Sequence, residues 1–121
     1  MPKSKTKAIT SNREDYLETI YHLESESRVP TTNDIAAHLK ISRASVSENI
    51  KKIAADGYID YLPYKGVRLT QKGKKIALDI VRRHRLSERL LTDKLGVKWE
   101  EAHVEAHKME HGISKRVGDK I

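Results

Sequence analysis

Hydrophobic residues recur with the spacing of a helix over most of this chain, and only one short stretch alternates with the spacing of a strand. Gly57 ends the third helical stretch, as a glycine at a helix C-terminus does. A strand, a Pro63–Gly66 turn and a return strand follow directly. In chain order, the predicted elements are helices at about Ser11–Glu26, Asn33–Lys40 and Arg43–Asp56, strands at Tyr58–Leu62 and Val67–Leu69, helices at Gln71–Leu95 and Trp99–His111, and a final helix after Ser114.

Residues that favour helix N-termini mark most of these starts. Ser11 and Glu14 have the spacing of a capping box, and Asp34 follows a pair of threonines that can cap the second helix. Ser42 and Thr70 are the predicted caps of the third helix and of the long fourth helix. The polar residues 1–10 precede the first cap and are expected to form a mobile arm.

The order helix, helix, short turn, helix, hairpin is that of a winged helix-turn-helix. The sequence therefore predicts a mainly α fold, with a winged helix-turn-helix DNA-binding domain over residues 1–71 and a helical segment over residues 72–121. The third helix would enter the major groove with its N-terminal residues. Its outward side and the wing tip supply the DNA-binding candidates, namely Ser42, Arg43, Ala44, Ser45, Ser47, Glu48, Lys51, Lys52, Tyr64 and Lys65.

These candidates have the chemistry that DNA contacts require. Basic side chains pair with phosphates or guanine edges, serine hydroxyls bond to either, and the Ala44 methyl group could touch a thymine methyl group. The alternative that the residues leave open is a small helical domain whose polar outer face binds nothing.

Composition and charge narrow the possible functions. The 121 residues include no Cys, which excludes disulfide scaffolds, cysteine zinc knuckles and iron–sulfur clusters. No apolar run is long enough for a membrane span or a signal peptide, so the protein is expected in the cytoplasm. The net charge of +7 lies in residues 61–121 and mostly in 61–85, where it would attract a polyanion such as DNA. A solvated basic helix face is the alternative.

Histidines are concentrated on the last two long helices. His103, His107 and His111 follow each other at four-residue steps, and together with Glu110 they fall within an arc of about 100°. His84 and Glu88 form a second pair at helical spacing on the preceding helix. Imidazole and carboxylate together suit Mn²⁺, Fe²⁺, Co²⁺, Ni²⁺ and Zn²⁺. A polar helix face without metal is the alternative.

The first helix carries two acids that could join this set. Asp15 and Glu18 lie about 60° apart on the side away from the apolar face of the helix. They could meet the His/Glu stripe across the gap between the two halves. On the residues alone, favourable interaction with the helix dipole is the stronger explanation for two acids at this position.

Several segments taken together resemble one known family, that of the diphtheria toxin repressor and related metal-dependent regulators. This family includes iron-dependent repressors and manganese transport regulators. The resemblance runs from about Asn12 to the last residue. The segments that carry it are Arg13-Glu14-Asp15-Tyr16-Leu17-Glu18-Thr19-Ile20-Tyr21, Ser45-Val46-Ser47, Gly57-Tyr58-Ile59, Leu69-Thr70-x-x-Gly73, Arg83-His84-Arg85-Leu86 and Glu110-His111.

This resemblance implies a homodimer with two metal sites per subunit, whose residues 72–121 serve metal binding and dimerisation. One site would use Asp15, Glu18, His107, Glu110 and His111, and the other His84, Glu88 and His103. Iron-type members carry Met at the position of Asp15, so the Asp15/Glu18 pair looks like the manganese branch. At His107, iron members have Cys and manganese members have Glu. The second set matches the iron type.

The predicted function is that of a repressor that senses Fe(II) or Mn(II), binds double-stranded operator DNA and controls metal-homeostasis genes, with Co(II), Ni(II) or Zn(II) as surrogate ions. A metal-independent winged-helix regulator is one alternative. A small metallohydrolase is another, although the chain has neither an H-E-x-x-H pattern nor a Gly-rich phosphate loop. Members of the family continue beyond the position of Ile121, so this chain is expected to be a fragment.

Overall fold

The computed structural model describes residues 11–26 and 28–120, and within them the fold is mainly helical. The predicted arm at residues 1–10 and the last residue, Ile121, lie outside the described residues. The elements are α1 Ser11–Glu24, α2 Thr32–Leu39, α3 Arg43–Ala55, β1 Ile59–Leu62, β2 Gly66–Leu69, α4 Gln71–Arg89, α5 Trp99–Glu110 and α6 Lys115–Gly118. The predicted winged helix-turn-helix order is confirmed.

Three of the predicted N-terminal caps are confirmed. The hydroxyl groups of Thr31, Ser42 and Thr70 each accept a backbone N–H three residues further along, at 3.1 Å. Each cap satisfies a donor that has no partner inside its helix. Gly57 has φ +86°, a backbone conformation that glycine adopts without steric cost, and it separates α3 from β1.

The fourth helix differs from the prediction near its end. Instead of continuing as an α-helix to Leu95, α4 ends at Arg89 and passes into a π-helical turn over Leu90–Lys94. The Leu95 N–H donates to the carbonyl of Leu90, five residues back, at 3.2 Å. Leu91 in this turn is buried against Ala102 and Ala106 of α5, which forms a small second core. The widened turn thus lies where α4 holds α5.

The wing is an antiparallel hairpin in which Ile59 pairs with Leu69 and Leu62 pairs with Gly66. Tyr64 at its tip has φ +66° and is fully exposed. At Gly66, φ is +128° and a Cβ would lie 2.2 Å from the carbonyl oxygen of Pro30. Only glycine fits at this position, so the wing can lie close to the chain that connects α1 to α2.

The main core joins the winged helix-turn-helix to the start of α4. Its largest buried residues come from α1, α2, α3 and the wing, and they include Tyr16, Leu17, Ile20, Ile35, Ile50, Ile53 and Ile59. Ala77 of α4 belongs to the same core, and Ile76 packs against it. Because α4 begins in this core and contacts α5 at its other end, it connects the DNA-reading half to the histidine-bearing helix.

Substitution of Gly73 by Ala should destabilise the fold, because a Cβ at this position would lie 2.0 Å from the Tyr58 carbonyl oxygen. We expect a loss of about 1–3 kcal/mol in the free energy of unfolding, as for overpacked sites. Gly112→Ala is the matched control, since its Cβ would meet no atom closer than the Met109 oxygen at 3.7 Å. Urea unfolding of both variants tests this, and wild-type stability for Gly73→Ala would contradict the close approach.

Candidate metal centre

All eight predicted metal ligands lie in one region, between α1 on one side and α4 and α5 on the other. The first helix contributes two carboxylates, α4 contributes His84 and Glu88, and the last histidine follows directly after α5. A cavity of about 700 Å³ opens onto this region and is lined by residues of both halves, among them Asp15, Glu18, His22, His38, His84, His103 and His107. The fold therefore brings residues far apart in the chain to the same place.

A first group of side chains joins α1 to the end of α5. It consists of Asp15, His107, Glu110 and His111, whose potential ligand atoms lie within 4.8 Å of one another. Asp15 Oδ1 is 2.8 Å from His111 Nε2 and 3.8 Å from His107 Nε2. Glu110 Oε2 is 3.5 Å from His107 Nδ1 and from His111 Nε2. One ligand atom from each of the four residues therefore lies close enough to the others to bind a shared cation.

A second group lies further along the same gap and is formed by α4 and α5 alone. His84 Nε2 is 3.2 Å from Glu88 Oε2 and 3.0 Å from His103 Nδ1. His103 Nδ1 and Glu88 Oε2 are 3.1 Å apart, so the three atoms form a nearly equilateral triangle. His103 remains exposed, which leaves one side of the triangle open to solvent.

Glu18 lies where the two predicted sets meet. The resemblance assigned it to the set that contains Asp15 and His111, and its carboxylate groups with Glu110 of that set and with His84 of the other. His84 Nδ1 and Glu110 Oε1 are only 2.5 Å apart. Through these residues the two predicted sets become one continuous band of carboxylate and imidazole groups.

Burial and neighbouring groups shift the pKa values of three residues in the centre. The Glu110 side chain is fully buried, and this burial raises its pKa to about 9, with the neighbouring Glu18 and Asp15 carboxylates acting in the same direction. Burial would also raise the pKa of Glu18, but hydrogen bonding to His22 and Glu110 lowers it to about 2. Desolvation lowers the pKa of His84, which favours the neutral imidazole that metals bind.

Three buried side-chain atoms lack a hydrogen-bond partner in the part of the chain that the structure describes, namely Arg83 Nε, Ser87 Oγ and Glu110 Oε2, and the last of them belongs to this centre. Glu110 Oε2 makes no hydrogen bond there, although its partner oxygen contacts His84. A buried carboxylate oxygen needs a proton donor or a cation to offset its desolvation. The residues present thus fit a divalent cation both in donor chemistry and in the need for positive charge.

Two residues that the sequence did not mark complete the site. Glu14, which the spacing predicts in a capping box, is buried, with Oε1 2.6 Å from His111 Nδ1 and Oε2 3.0 Å from Arg83. Arg83, which counts among the basic residues that would attract DNA, is buried as well. The i, i+4 spacing of Glu14 and Glu18 was the available signal, since it places both acids on one face of α1.

The DNA-binding candidates lie mostly on the surface. On α3, Ser47 is half-buried, whereas the remaining candidates are exposed, and Tyr64 and Lys65 are exposed at the wing tip. Asn49 was not among the candidates. Its side-chain amide donates to the Tyr16 hydroxyl at 3.1 Å and to the Ser45 carbonyl at 3.0 Å. It therefore links the third helix to α1.

The basic stretch at residues 61–85 is not one continuous charged surface. Arg83 lies in the interior, Arg82 pairs with Asp119 at 3.0 Å, and Lys72 donates to the Asp56 carbonyl at 3.1 Å. Some of these basic side chains thus bind partners within the molecule, which the sequence alone does not reveal.

Comparison with known proteins finds two family models that together match most of the chain. Residues 8–67 match the model described as iron dependent repressor, N-terminal DNA binding domain. Residues 70–121 match the model described as iron dependent repressor, metal binding and dimerisation domain. Among the described residues, no helix combines the length and apolar character needed to cross a membrane.

Individual relatives agree with these matches. The chain is 39% identical to the iron-dependent repressor IdeR of Mycobacterium tuberculosis over 109 residues, which are 90% of this chain and 47% of IdeR. It is 38% identical to the diphtheria toxin repressor of Corynebacterium glutamicum over 111 residues, 92% of this chain and 49% of that protein. The chain thus spans about half the length of the curated relatives it matches.

A solved structure shows the same fold. A manganese-dependent transcriptional repressor in complex with manganese superposes with a TM-score of 0.76 and 35% identity. The superposition covers 88% of this chain and 49% of that one.

Replacing Glu110 by Gln should flatten the pH dependence of stability in the metal-free protein. Glu110 has a pKa of about 9 in the folded protein, against an ordinary value of 4.5. Its raised pKa therefore contributes fully to the stability of the fold below pH 4.5, and this contribution is lost as the pH rises towards 9. Between pH 4.5 and 9, we expect the free energy of unfolding of Glu110→Gln to rise relative to that of the wild type by at most about 1.4 kcal/mol per pH unit. Urea unfolding in chelator between pH 5 and 8.5 measures this. The exposed Glu105→Gln is the control, and parallel profiles for wild type and Glu110→Gln would contradict the assigned burial effect.

Proposed function

Because this chain belongs to the iron-dependent repressor family, we propose that it is a metal-activated repressor of metal-homeostasis genes. It binds double-stranded operator DNA as a homodimer when Fe(II) or Mn(II) occupies the centre between α1 and α5. Because its target is DNA, it acts in the cytoplasm. One observation carries this proposal: Asp15 from the DNA-reading half converges with His107, Glu110 and His111 on one point. A cation there would tie the two halves together.

The proposed ligands divide into two sites. Asp15, His107, Glu110 and His111 hold the cation that links α1 to α5, with Glu18 beside them next to Glu110. His84, Glu88 and His103 hold a second cation between α4 and α5. Carboxylate oxygens favour Mn(II), whereas imidazole nitrogens shift the preference towards Fe(II). The mixed donor set is compatible with either ion.

The cation acts by stabilising one arrangement of the two halves. Without it, Glu110 keeps its proton at neutral pH because its pKa is raised to about 9, and no cation ties Asp15 of α1 to the end of α5. With it, the negative charge is offset and α1 is held in place. An effector shifts such an equilibrium only through its different affinity for the two states, and the assembled centre supplies that difference.

Direct contacts couple the position of α1 to that of the DNA-reading helix α3. Tyr16 lies next to Asp15, is fully buried, and accepts a hydrogen bond from Asn49 of α3. Leu17 of α1 shares the main core with Ile50 of α3. In a dimer, fixing α1 therefore fixes the separation of the two recognition helices, which must match the half-site spacing of the operator.

The outward side of α3 supplies the proposed DNA contacts, and most of its residues are exposed. Arg43, Lys51 and Lys52 are placed for phosphates or guanine edges, and Ser45 and Ser47 for hydrogen bonds. The wing tip at Tyr64 and Lys65 would reach the adjacent DNA backbone.

The second copy of the chain is expected to cover the large exposed apolar side chains of the helical half, namely Leu95, Trp99 and Val104.

Selection of bound sequences from a randomised DNA duplex pool tests this function. Run anaerobically in Mn²⁺, in Fe²⁺ and in chelator, it should enrich a palindromic sequence only when metal is present. His111→Ala should lose this response while it retains the fold, and Glu105→Ala, an exposed site on the same helix, should behave as the wild type. Equal enrichment in chelator would show a metal-independent winged-helix regulator and overturn the proposal.

A second prediction concerns the contact between α1 and α3. Tyr16→Phe removes the hydroxyl that accepts from Asn49, a hydrogen bond worth about 1 kcal/mol. We expect operator affinity in saturating metal to fall about fivefold, the equivalent of that energy, while metal affinity stays at the wild-type value. Fluorescence anisotropy and metal titration measure the two quantities, with the exposed Tyr61→Phe as control. A parallel loss of metal affinity would contradict the prediction that this hydrogen bond acts on DNA binding alone.

A further inference from the structure

A buried ion pair lies directly behind the proposed metal centre, between Glu14 of α1 and Arg83 of α4. Their side chains are only 8% and 9% exposed, and Glu14 Oε2 is 3.0 Å from the Arg83 guanidinium. The other oxygen of Glu14 is 2.6 Å from His111 Nδ1. We propose that Glu14 and Arg83 are positioning residues, which orient His111 so that its Nε2 lone pair faces the cation. This inference rests on the proposed function, because it concerns the same site.

The hydrogen-bond pattern determines which ring nitrogen carries the proton. A carboxylate that receives a guanidinium hydrogen bond offers only acceptor oxygens, so the contact with His111 needs a proton on Nδ1. The neutral ring then has its lone pair on Nε2. That atom is 2.8 Å from Asp15 Oδ1 and 3.5 Å from Glu110 Oε2, on the cation side of the ring. The opposite tautomer would direct an N–H at the cation.

Arg83 has a second role at the end of α5. Its NH1 group donates to the carbonyl of Glu110 at 3.1 Å and to that of Ile113 at 3.3 Å. Carbonyls at the end of a helix lack partners within the helix, and a cation is favoured there. One guanidinium thus holds both Glu14 and the backbone that precedes His111. Lysine could not replace it, because the contacts need the several donors of a planar guanidinium.

The decisive variant is Glu14→Gln, which keeps the shape but changes the donors. Since Arg83 only donates, the amide oxygen would turn towards it and the amide NH₂ group would face His111 Nδ1. This favours the tautomer with the proton on Nε2. We expect Co²⁺ affinity at the His111 site to fall about 10–100-fold, the usual effect of losing such a partner. Affinity at the His84, Glu88 and His103 site should not change.

Proton NMR of the Co²⁺-loaded protein supplies a readout that a loss of stability would not produce. The wild type should show a cobalt-shifted, slowly exchanging N–H proton from His111 Nδ1, absent from His111→Ala. Glu14→Gln should lose this signal. Glu24→Gln is the matched control on α1, because its carboxylate accepts from the Leu69 N–H at 3.0 Å and contacts no proposed ligand. It should retain both the signal and the affinity.

A second variant keeps the test decisive if Glu14→Gln fails to fold. The double substitution Glu14→Met and Arg83→Met removes both charges, so no unpaired charge remains buried. It should show the same weakened Co²⁺ binding and the same missing signal. Wild-type affinity with the proton still present in either variant overturns the positioning role. Identical Co²⁺ titrations for wild type and His111→Ala overturn the proposed function itself, and the inference with it.

Discussion

The contact between the acidic face of α1 and the buried carboxylate of Glu110 is the interaction on which the rest of this structure depends. Glu110 is fully enclosed, and its neighbours across the gap include the carboxylates of Asp15 and Glu18. Carboxylates cannot be packed together in the interior unless protons or cations offset their charge. The fold therefore has a built-in need for positive charge at the point where its two halves meet. In the proposed function, a divalent cation would meet that need in place of the proton that Glu110 retains at neutral pH through its raised pKa.

The placement of this contact explains how a small ion can influence a distant surface. Because α1 lies in the core of the winged helix-turn-helix, it cannot shift without α3. The fourth helix begins in the same core and ends at the π-helical turn that packs on α5. In the proposed function, a cation in the gap would therefore act on helices that pack in both cores. Glu14 and Arg83 add direct contacts between α1, α4 and the end of α5.

Much of the fold could be predicted because its signals are local. The caps at Ser42 and Thr70, the stop at Gly57 and the histidine spacing on α5 follow from short-range rules. The boundary residues were less well predicted, since α1 ends two residues early and the end of α4 becomes a π-helical turn. The wider turn has no local sequence signal, because its partner residues are on α5.

The site was only partly predictable, for a different physical reason. The resemblance to a family supplied the ligand set, whereas the spacing alone favoured metal ligands and left a polar helix face as the alternative. Glu14 was assigned to a cap and Arg83 to a basic surface, because each fits a local rule that the tertiary structure overrides. Their partners are 69 and 97 residues away along the chain, beyond the reach of any periodicity. The grouping of Glu18 with His84 and Glu110 has the same origin.

The most direct test of this account is a crystal structure of the protein grown with Mn²⁺ under anaerobic conditions, with anomalous diffraction data to locate the ion. The account predicts an anomalous peak within coordination distance of Asp15 on α1 and of Glu110 and His111 on the α5 side. An ion held only by α4 and α5 residues, with Asp15 turned away, would contradict the claim that metal joins the two halves.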